Sequence, residues 1–473
     1  MSDLNDIAVV GLGVMGANFA RNFASRGYRV AGYDRSVSKA HDVARAHPEA
    51  KLAIAEDWAQ LVAGLERPRR IVVLVVAGKP MDDVLDALDP LLEQDDIVVD
   101  AGNSLYSDTD RRNARAAGRP WRFVGMGISG GSDGALLGPS IMPGGDVEAW
   151  ERLRPLLEAV AAKSESGTCV TYCGRGSAGH FVKMVHNGIE YGDMQLIAET
   201  ATLLRDGLGL APTAVADTFS QWNRGDLASF LVEITADIFR TDDPQRPGSL
   251  LVDAILDKAG QKGTGKWTVM AALEMGVAVP TIAAAVDARV LSAQKDLRVR
   301  AEQAFGATRG ALAGVSVDDL RDALYASKIA SYAQGYVQLA AAAKEQQWPL
   351  DYGSIAMMWR GGCIIRAQFL ERIAEAYRAH PDLENLMLAP YFADALAKSQ
   401  KAWRHVIATA ATIGVPAPGF MAALAYYDGY RHERLPANLL QAQRDYFGAH
   451  TYERTDKQGT FHSEWLDLRR PIG

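Results

Sequence analysis

Residues 7–34 read IAVVGLGVMGANFARNFASRGYRVAGYD, and the fold turns on them. An apolar, β-branched run (7–10) leads directly into GLGVMG, which places Gly11, Gly13 and Gly16 in the pattern G-x-G-x-x-G. A helical run follows (17–25), then a second strand candidate (28–33) that ends in Asp34. In this setting each glycine has a separate task. The first allows a tight turn, the second lets backbone approach a pyrophosphate, and the third lets the helix pack closely on the strand. The pyrophosphate then meets the positive end of the helix. A purely structural glycine turn is the alternative. Asp34 stands where a carboxylate can accept hydrogen bonds from ribose hydroxyls, which favours NAD. Arg35, with Ser36 and Lys39, is suited to a 2′-phosphate, which favours NADP, and the same residues could instead simply cap the next helix.

Outward from this stretch, short β-like runs alternate with helical ones. Residues 71–76 (IVVLVV) form a continuous β-branched run, as in a strand buried on both faces, and 97–100 (IVVD) and 122–125 (RFVG) are further strands. The alternation predicts a parallel, doubly wound α/β domain of Rossmann type over residues 1–178. From about residue 177 strand-like runs give way to long Ala-, Leu- and Met-rich segments: 179–208, 229–239, 250–258, 320–343 and 389–412. An all-helical domain is expected over 179–435. A tail over 436–473 carries Tyr452, Phe461 and Trp465, rings that a partner subunit could bury.

The chain has 473 residues, 48% of them hydrophobic and 23% charged, with 50 Lys plus Arg against 57 Asp plus Glu and a net charge of −7. Such a composition is globular, and the acidic balance disfavours nucleic acid as a partner. Any anionic substrate must be met by local cations against the global sign. Three cysteines (Cys169, Cys173 and Cys363) form neither a disulfide scaffold nor a zinc pattern. So few cysteines suit a reduced, cytoplasmic compartment. The opening MSDLNDIAVV is unlike a signal peptide, and no apolar run nears the roughly 18 residues of a membrane span, so a membrane or secreted protein is not expected.

Residues 178–195 carry Lys183, His186, Asn187 and Glu190. At about 100° per residue these lie near 0°, 300°, 40° and 340°, one face of a helix, with Tyr191 at its edge near 80°. Burial would leave the lysine neutral and so available as a base, and the glutamate protonated and so available as an acid, while Asn and His can position hydroxyl groups. The same spacing also suits a solvated face with an ordinary Lys–Glu pairing.

KMVHNGIEYGDMQ (183–195) closely resembles the decarboxylating 6-phosphogluconate dehydrogenases of the pentose phosphate pathway. The likeness continues through DAGNS (100–104), GISGG (127–131), GPSIMPGG (138–145) and AGQKGTGKWT (259–268), then through residues 289–295, WRGGCIIR (359–366) and residues 427–454. It spans essentially the whole chain. The resemblance implies oxidative decarboxylation of 6-phospho-D-gluconate to D-ribulose 5-phosphate and CO2, with no metal used, by a homodimer whose C-terminal tail enters the partner's site. A dimer of dimers remains open. The resemblance makes Lys183 the general base and Glu190 the acid. It gives Asn103, Ser129, Gly130, Gly131, His186 and Asn187 to the sugar acid. The phosphate falls to Tyr191, Lys262, Thr264 and Arg289, joined by Arg444 and His450 from the second subunit. Cofactor contacts fall to Gly11, Gly13, Val14, Met15, Gly16, Asp34, Arg35, Ser36, Val75, Val76, Ala77 and Asn103.

Two departures matter. Family members often end the second strand in Asn-Arg-Thr and carry Lys where this chain has Val76. Asp34 and Val76 both favour NAD while Arg35 favours NADP, so NADP is preferred only slightly and NAD stays open. AGQKGTGKWT nearly spells a P-loop, but Trp267 replaces the required Ser or Thr and no strand precedes it. Two other readings compete: a β-hydroxyacid dehydrogenase for a non-phosphorylated sugar acid, disfavoured by the four phosphate-site cations, and an inactive cofactor-binding sensor, disfavoured by the Lys183–Glu190 pair.

Overall fold

The structure, a computed structural model, describes residues 4–165, 167–307 and 310–468. By its internal packing the chain divides into Met1–Ala423 and Leu424–Gly473.

The first unit opens with a seven-stranded sheet. In chain order the strands are β1 (Ile7–Val10), β2 (Val30–Tyr33), β3 (Ala53–Ile54), β4 (Arg70–Val73), β5 (Ile97–Asp100), β6 (Arg122–Ser129) and β7 (Ser140–Gly145). Their spatial order is β3-β2-β1-β4-β5-β6-β7, parallel throughout except for β7, which runs antiparallel to β6. Side chains alternate between two buried faces. Ile7, Val9, Val72 and Val99 pack with Phe19, Phe23 and Leu153 on one side, while Ala8, Val10, Ile71, Val73 and Val98 pack with Met81, Leu85 and Trp121 on the other. Burial on both faces is why these strands read as unbroken apolar runs. The strand order reverses between β1 and β4, and the crevice opens at that switch point.

Helices follow, among them Ala178–Thr202, Thr264–Glu274, Pro280–Ser292 and Val317–Gln346. Ala178–Thr202 is the hub, packing on β6, β7 and the other three. A buried ion pair, Lys328 Nζ to Asp193 Oδ1 at 2.6 Å, fastens it to Val317–Gln346. That longer helix starts three residues before the expected 320, at a capping box of Ser316 and Asp319.

Three expectations need correcting. The run 71–76 leaves the sheet after Val73: Leu74 donates its amide to Val10 O, and Val76 ends 78% exposed at the crevice. The strand read as 122–125 continues to Ser129, because Gly125 and Gly127 lie under side chains of the central helix rather than in a loop. Of the helix expected over 250–258 only Leu251–Ala254 forms, with no buried face to hold a longer one.

The second unit contains the helix Ala437–Gly448 and a small antiparallel pair, Tyr452–Glu453 with Thr460–Phe461. It is organised around Asp445, which is fully buried and accepts hydrogen bonds from Thr451 N, His462 Nδ1, Ser463 N and Trp465 Nε1. Burial pushes this carboxyl up, but the four donors outweigh it and leave the pKa at about 2. Among the described residues no helix is long and apolar enough to cross a membrane.

Candidate functional site

The cofactor end is built by the glycine turn. Gly11 has φ of 89°, and a Cβ there would lie 2.5 Å from Leu74 O. A Cβ on Gly16 would lie 1.9 Å from Gly11 O, whereas a Cβ on Gly13 would meet nothing within 4 Å. The turn is thus locked at its first and third glycines and open at the second, at the start of the helix Val14–Ser25. That cradle fits a dinucleotide pyrophosphate. The adjoining crevice, about 490 Å³, is lined by Gly11, Gly13, Asp34, Arg35, Val75 and Val76, among others. Ala77 is half-buried in the same loop, Val14 is exposed at the helix start, and Met15 packs on the core.

Asp34 is turned inward. Its carboxylate accepts the amide protons of Leu12 at 2.9 Å and Ser36 at 3.0 Å, and Lys39 Nζ lies 3.6 Å away. It is therefore a brace between the glycine turn and the loop carrying Arg35 and Ser36, both exposed at the rim. Asp34→Asn keeps one of the two acceptors and removes the charge. The ratio of kcat/KM for NADP over NAD should rise roughly threefold to tenfold, the effect of about 1 kcal/mol of lost repulsion. An unchanged ratio in parallel assays would show that the charge is not felt by the 2′ position.

At the other end, Lys183, on the helix Ala178–Thr202, packs its stem against β6. A Cβ on Gly127 would sit 2.3 Å from Lys183 Cβ, so only glycine lets the lysine stem lie there. Lys183 is 6% exposed, and burial pulls its pKa down against the opposing pull of Glu190 and Cys363. Glu190, with 20% of its side chain exposed, is pushed up by burial, opposed by Lys183 and Arg289. Fully buried His186 is held well below its ordinary pKa by burial and by Lys183. Its Nδ1 lies 3.0 Å from Asn187 Oδ1 and its Nε2 3.3 Å from Ser129 Oγ. With Oδ1 facing the ring, Nδ1 carries the proton and Nε2 accepts from the serine hydroxyl. The edge of the ring meets Trp359 at 5.5 Å between centroids.

Gly130 and Gly131 (φ 119° and 64°) form the turn after β6, and a Cβ on Gly130 would lie 2.5 Å from Gly362 O. The segment WRGGCIIR is thus packed beneath the SGG turn. Cys363 is buried, donates to Trp359 O at 3.1 Å, and burial pushes its thiol up to about 12, so it stays protonated.

Four of the phosphate candidates come from one neighbourhood. The guanidinium of Arg289 lies 3.5 Å above the Tyr191 ring and donates to Gly260 O at 3.1 Å, which ties it to the loop bearing exposed Lys262. Thr264 opens the next helix, where Gly265 packs so closely on Tyr191 that a Cβ would sit 2.4 Å from the ring. Asn103 is exposed on the loop after β5. Arg444 and His450 are exposed in the second unit, where His450 sits between two left-handed residues, Ala449 (φ 48°) and Thr451 (φ 62°). A separate cleft of about 600 Å³, among Trp222, Arg224, Arg321, Tyr325 and Lys398, contains none of the candidates. Among the described residues no group of three or more His, Cys, Asp or Glu is placed to hold a metal ion. Sequence reading missed Gly127, Gly125 and Trp359; alternate glycines in a β-like run were the available signal for the first two.

A sheet reversing at a glycine turn, joined to a helical body that carries a buried lysine and a half-buried glutamate, defines a dinucleotide-dependent dehydrogenase. Comparison with known proteins narrows the class. Residues 6–174 match the NAD binding domain of 6-phosphogluconate dehydrogenase and residues 179–465 its C-terminal domain. The chain belongs to the 6-phosphogluconate dehydrogenase family. It is 51% identical to the decarboxylating 6-phosphogluconate dehydrogenase of Escherichia coli (strain K12), covering 98% of this chain and 99% of that one. It is also 51% identical to the NADP(+)-dependent, decarboxylating enzyme of Bacillus subtilis (strain 168), covering 97% and 99%. Plasmodium falciparum 6-phosphogluconate dehydrogenase, solved in apo form and in complexes with NADP+ and 6-phosphogluconate, superposes with a TM-score of 0.94 at 40% identity, covering 97% of this chain and 100% of that one.

Proposed function

We propose that the chain oxidises and decarboxylates 6-phospho-D-gluconate to D-ribulose 5-phosphate and CO2, with NADP preferred and NAD the weaker acceptor. The carrying observation is the pairing, on one helix face, of a lysine drawn toward neutrality with a glutamate drawn toward protonation. Gly11, Gly13 and Gly16 would form the cradle for the pyrophosphate, and Arg35, Ser36 and Lys39 would take the 2′-phosphate. When bound, the nicotinamide ring accepts the electron pair of the substrate C3–H bond.

Asn103, Ser129, Gly130, Gly131, His186 and Asn187 orient the sugar acid. Neutral Lys183 removes the proton of the 3-hydroxyl. The β-keto acid so formed loses CO2, because the ketone oxygen accepts the electrons of the breaking carbon–carbon bond. Protonated Lys183 stabilises that oxyanion. Glu190 then protonates C1 of the enediol to give the ketose. Tyr191, Lys262, Thr264 and Arg289 bind the phosphate, Arg289 by its fork geometry. In a homodimer, Arg444 of the partner subunit and His450 of the partner subunit complete that dianion site.

Purified protein, 6-phosphogluconate and either dinucleotide, followed by absorbance and CO2 release, tests the reading; no CO2 with either acceptor would reject it. Gluconate should be a far poorer substrate. A chain ending at residue 435 should lose roughly tenfold to a hundredfold in kcat/KM for 6-phosphogluconate, as two charge-assisted phosphate contacts go. Dinucleotide binding should persist in calorimetry. Unchanged substrate affinity would remove the tail from the site.

A further inference from the structure

Arg112 is fully buried and does not line the crevice, yet its guanidinium joins the loop that does line it to the loop that follows β5. It comes from the helix Tyr106–Ala116. Nη2 donates to Gly78 O at 3.0 Å, at the end of the loop carrying Val75, Val76 and Ala77. Nε donates to Asp82 Oδ1 at 2.9 Å, on the helix that this loop enters. Nη1 donates to Asp100 Oδ2 at 3.1 Å and lies 3.3 Å from Ser104 Oγ. Asp100 in turn closes the second loop on itself, accepting from Gly102 N at 3.1 Å and from the Ser104 hydroxyl at 2.7 Å. Asn103 is the one exposed residue of that closed turn. The loops also touch directly, since a Cβ on Gly102 would lie 3.0 Å from Val75 O.

We infer that Arg112 is a positioning residue: it fixes Asn103 relative to the 75–78 loop and so sets the geometry in which dinucleotide and sugar acid meet. The inference rests on the proposed role of Asn103. A planar guanidinium with donors on three sides suits this work. A lysine keeps the charge but, as a single ammonium, cannot reach Gly78 O, Asp82 and Asp100 together. A role limited to holding the fold would lower thermal stability and leave the kinetics of the folded enzyme alone.

The experiment is a double-mutant cycle in the full-length protein, with Arg112→Lys, Asn103→Ala and the pair, assayed well below each melting temperature. Arg112→Lys should lower kcat/KM for 6-phosphogluconate and raise KM for NADP, each by about tenfold or more, the scale of a small misplacement near the chemistry. With Asn103 already alanine, the same change should cost threefold or less, because the two residues act through one contact. Ser104→Ala, a milder loosening of the same turn, should show the same coupling and serves if Arg112→Lys does not fold. Additive effects in the cycle, or wild-type kinetics in a destabilised Arg112→Lys, would overturn the inference. Because wild-type protein is assayed alongside, absence of CO2 release there would instead reject the activity itself.

Discussion

Lys183→Met should leave a folded protein that binds dinucleotide and 6-phosphogluconate but forms reduced dinucleotide and CO2 at least about 10³-fold more slowly, the upper range for removing a general base. Methionine is chosen because it fills the slot above Gly127 without a charge, so the buried stem is replaced rather than deleted. Wild-type turnover in this variant would reject Lys183 as the base. The pH profile adds a signed expectation. Burial lowers the lysine and raises the glutamate, so the two titrate as a coupled pair that shares one proton over a plateau. On the acid side both groups are protonated and no base remains; on the alkaline side both protons are gone and no acid remains. kcat/KM should therefore be bell-shaped. In Glu190→Gln only the lysine titrates, so the residual rate should climb with pH and then level, without the alkaline fall. A bell that survives in Glu190→Gln would assign the alkaline limb to another group.

The glycine turn and the polar helix face were legible in sequence because each depends on local periodicity. GLGVMG follows a strand whose every residue is buried, and Lys183, His186, Asn187 and Glu190 recur at helical spacing on a single long helix. What sequence did not disclose depends on partners distant along the chain. Gly127 resembles a loop residue until Lys183 is packed over it, and nothing local marks Gly125, at the end of the expected strand, as lying beneath Thr109 and His180. The place of Asp34 at the end of a strand puts it at the crevice, but that its carboxylate also accepts the Leu12 and Ser36 amides is settled by backbone directions in two loops. Arg112 carries no motif, and its importance is visible only when its four partners, contributed by three segments, are brought together. The short Leu251–Ala254 helix failed differently: its sequence has helical texture, but a helix without a buried face gains little from packing.

Gly127→Ala should produce the second large effect, and by a route that substitutes none of the residues proposed to touch substrate or dinucleotide. The added methyl would sit 2.3 Å from Lys183 Cβ and 2.8 Å from its Cγ. Neither atom is the free end of a flexible chain, so the helix Ala178–Thr202 or strand β6 must shift. Rotation of Lys183 cannot relieve the clash at Cβ. Motion of the helix is resisted nearby, because a Cβ on Gly179, one turn earlier, would already lie 2.4 Å from Met142 O and 2.5 Å from Gly125 O. The two elements are therefore in backbone contact with no slack. Overpacking of this kind costs about 1–3 kcal/mol of stability. The displaced lysine should cost more in rate: about a hundredfold in kcat, the scale expected when a reacting group is misplaced by an ångström. Dinucleotide affinity, set at the glycine turn around Gly11, should change little. The check is kcat, KM for both ligands, and thermal unfolding on one preparation. A loss of melting temperature with kcat intact would mean that the site tolerates the shift, and that Lys183 does not owe its catalytic position to the missing side chain on β6.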